Sequence, residues 1–196
     1  MRLDIEPTAA VLLVALLLTD RTHLAAAALL AAAVHEAGHL AAARVMRIPV
    51  RSLHFHLLGA GLTTGGRLLT YGEEVALCAA GPLASLFFSA ALAPLWRHAD
   101  LAVLLSCASL TLGLLNLLPV RAFDGGRLLE VAIAAHGSPA AAEHTLIVTS
   151  LLSLWVLWAG AVYLLLRAGD GLSLWCFSMS LFSRFFAVTK QKDFKG

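Results

Sequence analysis

Apolar stretches recur along this chain at about residues 8–19, 23–43, 75–96, 101–118, 145–166 and 172–188. Crossing a bilayer takes ~20 helical residues, so most of these suit a membrane span. The first is short for one, and the last contains Arg184, which can reach the interface from a helix end. The chain is 196 residues long, 60% hydrophobic and 13% charged. A water-soluble domain of that length could not hide so much apolar surface, so the expected solvent is lipid. The expected fold class is an all-α polytopic membrane protein with about six transmembrane helices, forming a single integral membrane domain over residues 1–196.

The N-terminal run imitates a secretory signal peptide, but Asp4 and Glu6 occupy the region where such a peptide carries positive charge. It is read as a short first span. Cys78, Cys107 and Cys176 lie in apolar segments and are odd in number, which argues against a disulfide framework. The net charge of +2 comes without a long basic block, so a nucleic-acid partner is not expected. With six spans and a cytoplasmic N-terminus, only Arg21, Arg97 and Arg167 of the 14 basic residues fall outside. That bias predicts both termini in the cytoplasm.

Two connecting segments break the helical pattern. In "PVRSLHFHLLGAGLTTGGRLLTYGEE", Leu53, Phe55 and Leu57 alternate with Ser52, His54 and His56, and "TTGG" is turn chemistry. A membrane-associated β-hairpin or re-entrant loop is predicted between helices 2 and 3, with a strand edge able to pair with an extended peptide. In "PVRAFDGGRLLEVAIAAHGSP", Pro119, Gly125 and Gly126 are read as breaking the helix before a short helix over 128–135.

The second apolar stretch contains "HEAGH". On a helix His35 and His39 project from one face a turn apart, and Glu36 stands beside them. Two imidazoles so spaced can hold one Zn²⁺ while the adjacent carboxylate takes a proton from the attacking water. So short a pattern can arise by chance. At membrane depth, however, each idle polar group costs a few kcal/mol, which favours a metal site. A catalytic zinc takes three protein ligands, and Asp124 in "NLLPVRAFDGG", flanked by glycines that permit close backbone approach, is the candidate third. A turn aspartate before a short helix is the alternative. Spans two and four both run toward the cytoplasm, so their ends can meet there. His39 stands ~7–8 Å of helix before Arg44, which puts the site near the cytoplasmic face.

These motifs resemble the site-2 protease family of intramembrane zinc metalloproteases. The resemblance rests on "HEAGH", on "NLLPVRAFDG" matching N-x-x-P-x-x-x-x-D-G, and on "AAGPLAS" opening the third span, and it covers about residues 23–130. The compact layout is similar to stage IV sporulation protein FB and its relatives. The resemblance implies His35, His39 and Asp124 as ligands of one Zn²⁺ per chain, with Glu36 as general base. It places Asn116 and Pro119 in a broken segment beside the metal, next to the motif's Asp124 and Gly125. It further implies a transmembrane or membrane-associated protein substrate, with a pro-sigma factor among the candidates. It implies residence in a bacterial inner membrane and leaves room for a membrane regulatory or inhibitory partner. Ser85 departs from the family pattern, which often has asparagine four residues after the glycine of the G-P motif, here Gly81 and Pro82. Neither a PDZ insertion nor a CBS domain is expected.

The rival readings are a membrane metal transporter and a catalytically inactive metal-binding scaffold. Transport would want a ladder of polar groups across several spans, which the sequence does not offer. His54 and His56 are read as loop histidines, and His98, His136 and His144 as residues near span ends. Glu73 and Glu74 are read as marking a helix N-terminus.

Overall fold

A computed structural model describes residues 2–5, 18, 20, 22–56, 59–65, 68–168, 178–183 and 185. The chain divides into two compact units, residues 1–116 and 117–196. Among the described residues, Leu24–Val45, Tyr71–Leu95 and Ala140–Arg167 are helical, long and apolar enough to cross a membrane, and Asp100–Asn116 is apolar but shorter. The expected spans at 8–19 and 172–188 lie largely outside the described residues.

The first unit contains three mutually packed helices, α1 (Leu24–Val45), α2 (Tyr71–Leu92) and α3 (Asp100–Asn116). A short 3₁₀ turn, Ala93–Leu95, follows α2. The unit also carries a sheet of β1 (Arg2–Ile5), β2 (Val50–His56) and β3 (Gly59–Thr64), in that order. β2 and β3 run antiparallel with Leu53 opposite Leu62, and β1 lies parallel to β2 with Leu3 opposite Leu53. The sequence reading did not anticipate β1. Four residues before an apolar run carry too little alternation to mark a strand whose partner lies some fifty residues away in the chain.

The helices meet along seams of small residues. α1 buries Ala27, Ala31, His35, His39 and Ala43, one residue per turn; α3 buries Ala102, Ser106, Ser109 and Gly113. α2 contributes Cys78, Gly81, Pro82, Ser85 and Ser89. The large side chains face the other way, with Leu83, Phe87, Leu101, Leu110 and Leu114 exposed. Small and polar inside with large and apolar outside is the pattern expected where lipid is the solvent, because lipid gives no hydrophobic drive to bury leucine. Two of the seam serines pair across the helices. The Ser89 and Ser106 hydroxyls lie 2.9 Å apart, and Ser106 Oγ donates to the Ser89 carbonyl at 2.9 Å.

Both ends of α1 are finished by local chemistry. At its start the Asp20 carboxylate accepts the N–H groups of Leu24 and Ala26, each at 3.1 Å. Desolvation pulls the Asp20 carboxyl up, but the hydrogen bonds from Ala26, Thr22 and Leu24 outweigh it and hold the group below its ordinary value. At its end Arg47 takes a left-handed conformation (φ 54°), Arg47 N–H bonds the Arg44 carbonyl, and Ile48 N–H bonds the Ala43 carbonyl at 2.8 Å. This is a Schellman stop with arginine in the place glycine usually takes, and Ile48 is buried beside it.

α2 begins at Tyr71, earlier than the apolar stretch at 75, because Thr70 and Glu73 form a capping box. Thr70 N–H reaches Glu73 Oε2 at 3.0 Å, and Glu73 N–H reaches Thr70 Oγ1 at 3.3 Å. Glu73 and Glu74 therefore lie inside the first turn, where the helix dipole favours negative charge.

The second unit runs from Leu117 through α4 (Asp124–His136) and α5 (Pro139–Ala168), which pack together. Its core joins Val120, Leu154, Leu181 and Phe185, with Phe123 and Leu118 against them. Contrary to the sequence expectation, Gly125 and Gly126 do not break the helix before residue 128 but sit in the first turn of α4, which starts at Asp124. They are glycines for want of space. A Cβ on Gly125 would come within 2.6 Å of the Leu118 carbonyl oxygen, and one on Gly126 within 2.9 Å of Arg121 N.

Gly38 sets the approach of α1 to α2, since a Cβ there would lie 2.6 Å from both the Ala80 carbonyl oxygen and Ala84 Cβ. Gly38→Ala is expected to destabilise the protein by about 1–3 kcal/mol through overpacking. Thermal unfolding in detergent, followed by circular dichroism, checks this; an unchanged midpoint would mean the two helices are free to part.

Candidate metal centre

The centre is built from α1 outward. His35 and His39 stand one turn apart on its buried seam, 4% and 8% exposed, as the i, i+4 spacing requires. Their rings meet nearly edge to face, with centroids 4.9 Å apart and planes at 79°. In this arrangement the two Nε2 atoms converge to 3.2 Å. The other nitrogens turn outward to α2, where His39 Nδ1 lies 2.8 Å from the Leu77 carbonyl oxygen and His35 Nδ1 lies 3.1 Å from Ser85 Oγ.

This geometry determines what the pair can do. A carbonyl oxygen only accepts, so the bond to Leu77 places the His39 proton on Nδ1, and a neutral His39 then turns the Nε2 lone pair toward His35. A second Nε2 lone pair opposite it would be repelled, so the contact requires either a proton on His35 Nε2 or an electron-poor centre between the two nitrogens. Two nitrogens bound to one tetrahedral zinc at ~2.0–2.1 Å would themselves be about 3.3 Å apart, close to the observed separation. The donor set therefore fits a divalent zinc-like cation, with each imidazole oriented through its second nitrogen as metal-binding histidines generally are.

α2 makes room for the rings at Gly81. A Cβ there would lie within 2.6 Å of His39 Cε1 and 2.8 Å of His35 Nε2, so any side chain at 81 would occupy the space the imidazoles use. Glu36 follows His35 on α1 and is half-buried.

The second unit places Asp124 as the first residue of α4. The loop leading to it is fastened to α5. Arg121 N–H donates to Ser150 Oγ at 3.0 Å, Ser150 Oγ donates to the Pro119 carbonyl at 3.4 Å, and the Arg121 guanidinium pairs with Glu143 at 2.8 Å. Pro119 thus has a structural partner of its own. Asn116 closes α3 in the first unit, its side-chain amide donating to the Leu112 carbonyl at 3.0 Å. His98, His136 and His144 are exposed, in keeping with their reading as residues near helix ends.

Sequence reasoning missed the supports of the histidines. The Leu77 carbonyl belongs to the backbone and leaves no mark in the side-chain alphabet. Gly81 and Ser85 were visible in "AAGPLAS", and their four-residue spacing along α2 was the available signal.

Comparison with known proteins agrees with this chemistry. Residues 89–158 match peptidase family M50, a segment that takes in "NLLPVRAFDGG" but not "HEAGH". No curated protein matches the chain. Among solved structures, the site-2 protease from Methanocaldococcus jannaschii is similar in fold, with a TM-score of 0.62 and 19% identity over 95% of this chain and 91% of that one. The family match covers residues 89–158 alone, and the structural likeness shows a shared fold.

Gly81→Ala is expected to weaken zinc binding on the order of tenfold or more, while helical content stays near that of wild type. Competition against a chromophoric chelator reads this directly; wild-type affinity would mean the rings tolerate the methyl without losing convergence.

Proposed function

We propose that the protein is a zinc metalloendopeptidase that hydrolyses a peptide bond of a transmembrane or membrane-associated protein, with His35, His39 and Asp124 as the ligands of one Zn²⁺. The observation that carries this reading is the buried histidine pair, its Nε2 atoms converging at 3.2 Å and its Nδ1 atoms turned to α2. Asp124 is the third ligand on the chemistry of the donor set. A catalytic zinc takes three protein ligands, and a carboxylate in the first turn of a helix has its negative charge favoured by the helix dipole.

Bound there, the ion would acidify water and polarise the scissile carbonyl. Glu36 takes the proton of the attacking water and delivers it to the leaving amide nitrogen, so that a neutral amine departs. Carbonyls of a helical substrate are occupied by the substrate's own hydrogen bonds, and cleavage requires that segment to become extended. β3 is an edge strand of the sheet and offers backbone groups for such a segment to pair with. We place this sheet at the membrane, and the active site near the cytoplasmic face of a bacterial inner membrane with both termini cytoplasmic. The support is the positive-inside bias and the position of "HEAGH" shortly before Arg44, Arg47 and Arg51. A membrane-anchored regulator, a pro-sigma factor among them, is the substrate class this arrangement suits, and a regulatory or inhibitory membrane partner would act by controlling access to β3.

Metal stoichiometry tests the centre. Wild type purified in detergent is expected to hold close to one zinc per chain, and His39→Ala and Asp124→Ala to lose it with the fold retained. Zinc kept in Asp124→Ala would remove that residue from the site, and no zinc in well-folded wild type would overturn the reading. Glu36→Gln is expected to keep the metal and lose at least about a hundredfold in cleavage of a transmembrane substrate, the contribution typical of a general base. Cleavage at the wild-type rate would take the proton-transfer role from Glu36.

A further inference from the structure

We infer that Ser85 is the positioning residue for His35, and that its hydroxyl, able both to accept and to donate, lets the histidine pair stay hydrogen-bonded with and without metal. The inference rests on the zinc reading above and assigns a function to the position where the chain departs from the family's usual asparagine.

The two histidines are supported unequally. His39 Nδ1 faces a backbone carbonyl, which accepts only, whereas His35 Nδ1 faces the Ser85 hydroxyl at 3.1 Å. For His35 to offer Nε2 to a metal while neutral, its proton must sit on Nδ1 and Ser85 Oγ must accept it. Without metal the same lone pair would oppose that of His39 across 3.2 Å. Rotation of the hydroxyl relieves this. Ser85 donates to His35 Nδ1, His35 carries its proton on Nε2 and donates to His39 Nε2, and His39 donates to the Leu77 carbonyl. The hydrogen bonds then run in one direction from Ser85 to Leu77. Both states contain the same number of protons, and moving between them changes only the tautomer of His35 and the rotamer of one hydroxyl. A second carbonyl under His35 would support only the metal-binding tautomer.

A buried serine on a helix seam also serves simply by being small, and position 85 has such a duty. Serine 85 is fully buried, and a Cβ on Gly113 of α3 would lie 3.1 Å from Ser85 Cβ. That duty belongs to the size of the residue, which alanine preserves. Ser85→Ala therefore removes the hydroxyl and leaves the packing. Ser89 supplies the matched control, one turn further along α2, also buried and with its hydroxyl bonded to Ser106 of α3.

The experiment measures zinc affinity of the purified protein by chelator competition, and the visible absorption of the Co²⁺-substituted protein, in wild type, Ser85→Ala and Ser89→Ala. Ser85→Ala is expected to bind zinc about 10–100-fold more weakly, the range usual for loss of a ligand's supporting hydrogen bond, and to shift the Co²⁺ bands. Ser89→Ala is expected to match wild type in both. Wild-type affinity in Ser85→Ala overturns the inference, as does an equal loss in Ser89→Ala, which would assign the effect to loosened helices. Absence of zinc from wild type is a separate result, visible without any variant, and overturns the zinc reading and this inference together.

Discussion

Two imidazole nitrogens held 3.2 Å apart in a helix bundle are the constraint around which the first unit is arranged. Three features of α2, four residues apart, meet it in turn. The Leu77 carbonyl bonds His39, Gly81 leaves space for both rings, and the Ser85 hydroxyl reaches His35. The order is reversed relative to α1, as antiparallel neighbours demand: the later histidine meets the earlier support. Gly38, between the two histidines, brings the backbones close enough for these bonds to form. Leu77, Gly81 and Ser85 meet the pair from one face of the helix, because positions four apart share a face.

Lipid explains why the supports are so sparse. Without a hydrophobic drive between helices, association depends on close backbone approach and on polar pairs, and a buried polar group without a partner is costly. Serines fill the seam for both reasons, being small enough for contact and able to bond each other, as Ser89 and Ser106 do. The second unit solves a different problem, the fixing of a loop. Arg121, Ser150 and Glu143 tie the segment after Pro119 to α5, and Gly125 and Gly126 let the first turn of α4 lie against the backbone of Leu117 and Leu118 and of Val120 and Arg121. Asp124 thereby starts a helix from an anchored loop, which limits the freedom of its carboxylate.

Much of this was legible in the sequence, and what was not has identifiable causes. The seam carrying His35 and His39 follows from helical periodicity, and the membrane class follows from apolar content, since both signals repeat over many residues. Strand β1 could not be read, because its four residues acquire their conformation from pairing with β2 rather than from a local pattern. The starts of α2 and α4 were displaced for opposite reasons. The Thr70 and Glu73 capping box extends a helix into polar residues that an apolarity criterion discards, while Gly125 and Gly126 look like breakers although tertiary crowding is what requires them. A glycine selected for closeness and one selected for flexibility are the same letter.

The inequality of the two histidine supports bears on how such a site tolerates change. The bond from His39 ends on main chain, so substitution at Leu77 leaves the acceptor in place as long as α2 keeps its path. The bond from His35 ends on a side chain and is open to replacement by any residue that offers a donor or acceptor at that height on the helix. A departure from the common residue at 85 is therefore the change the architecture accommodates best, provided the substitute fits against Gly113 and still bonds Nδ1. Serine meets both conditions with the smallest side chain that carries a hydroxyl. The orientation of one ligand is thus guaranteed by the fold, and that of the other by a choice at a single position.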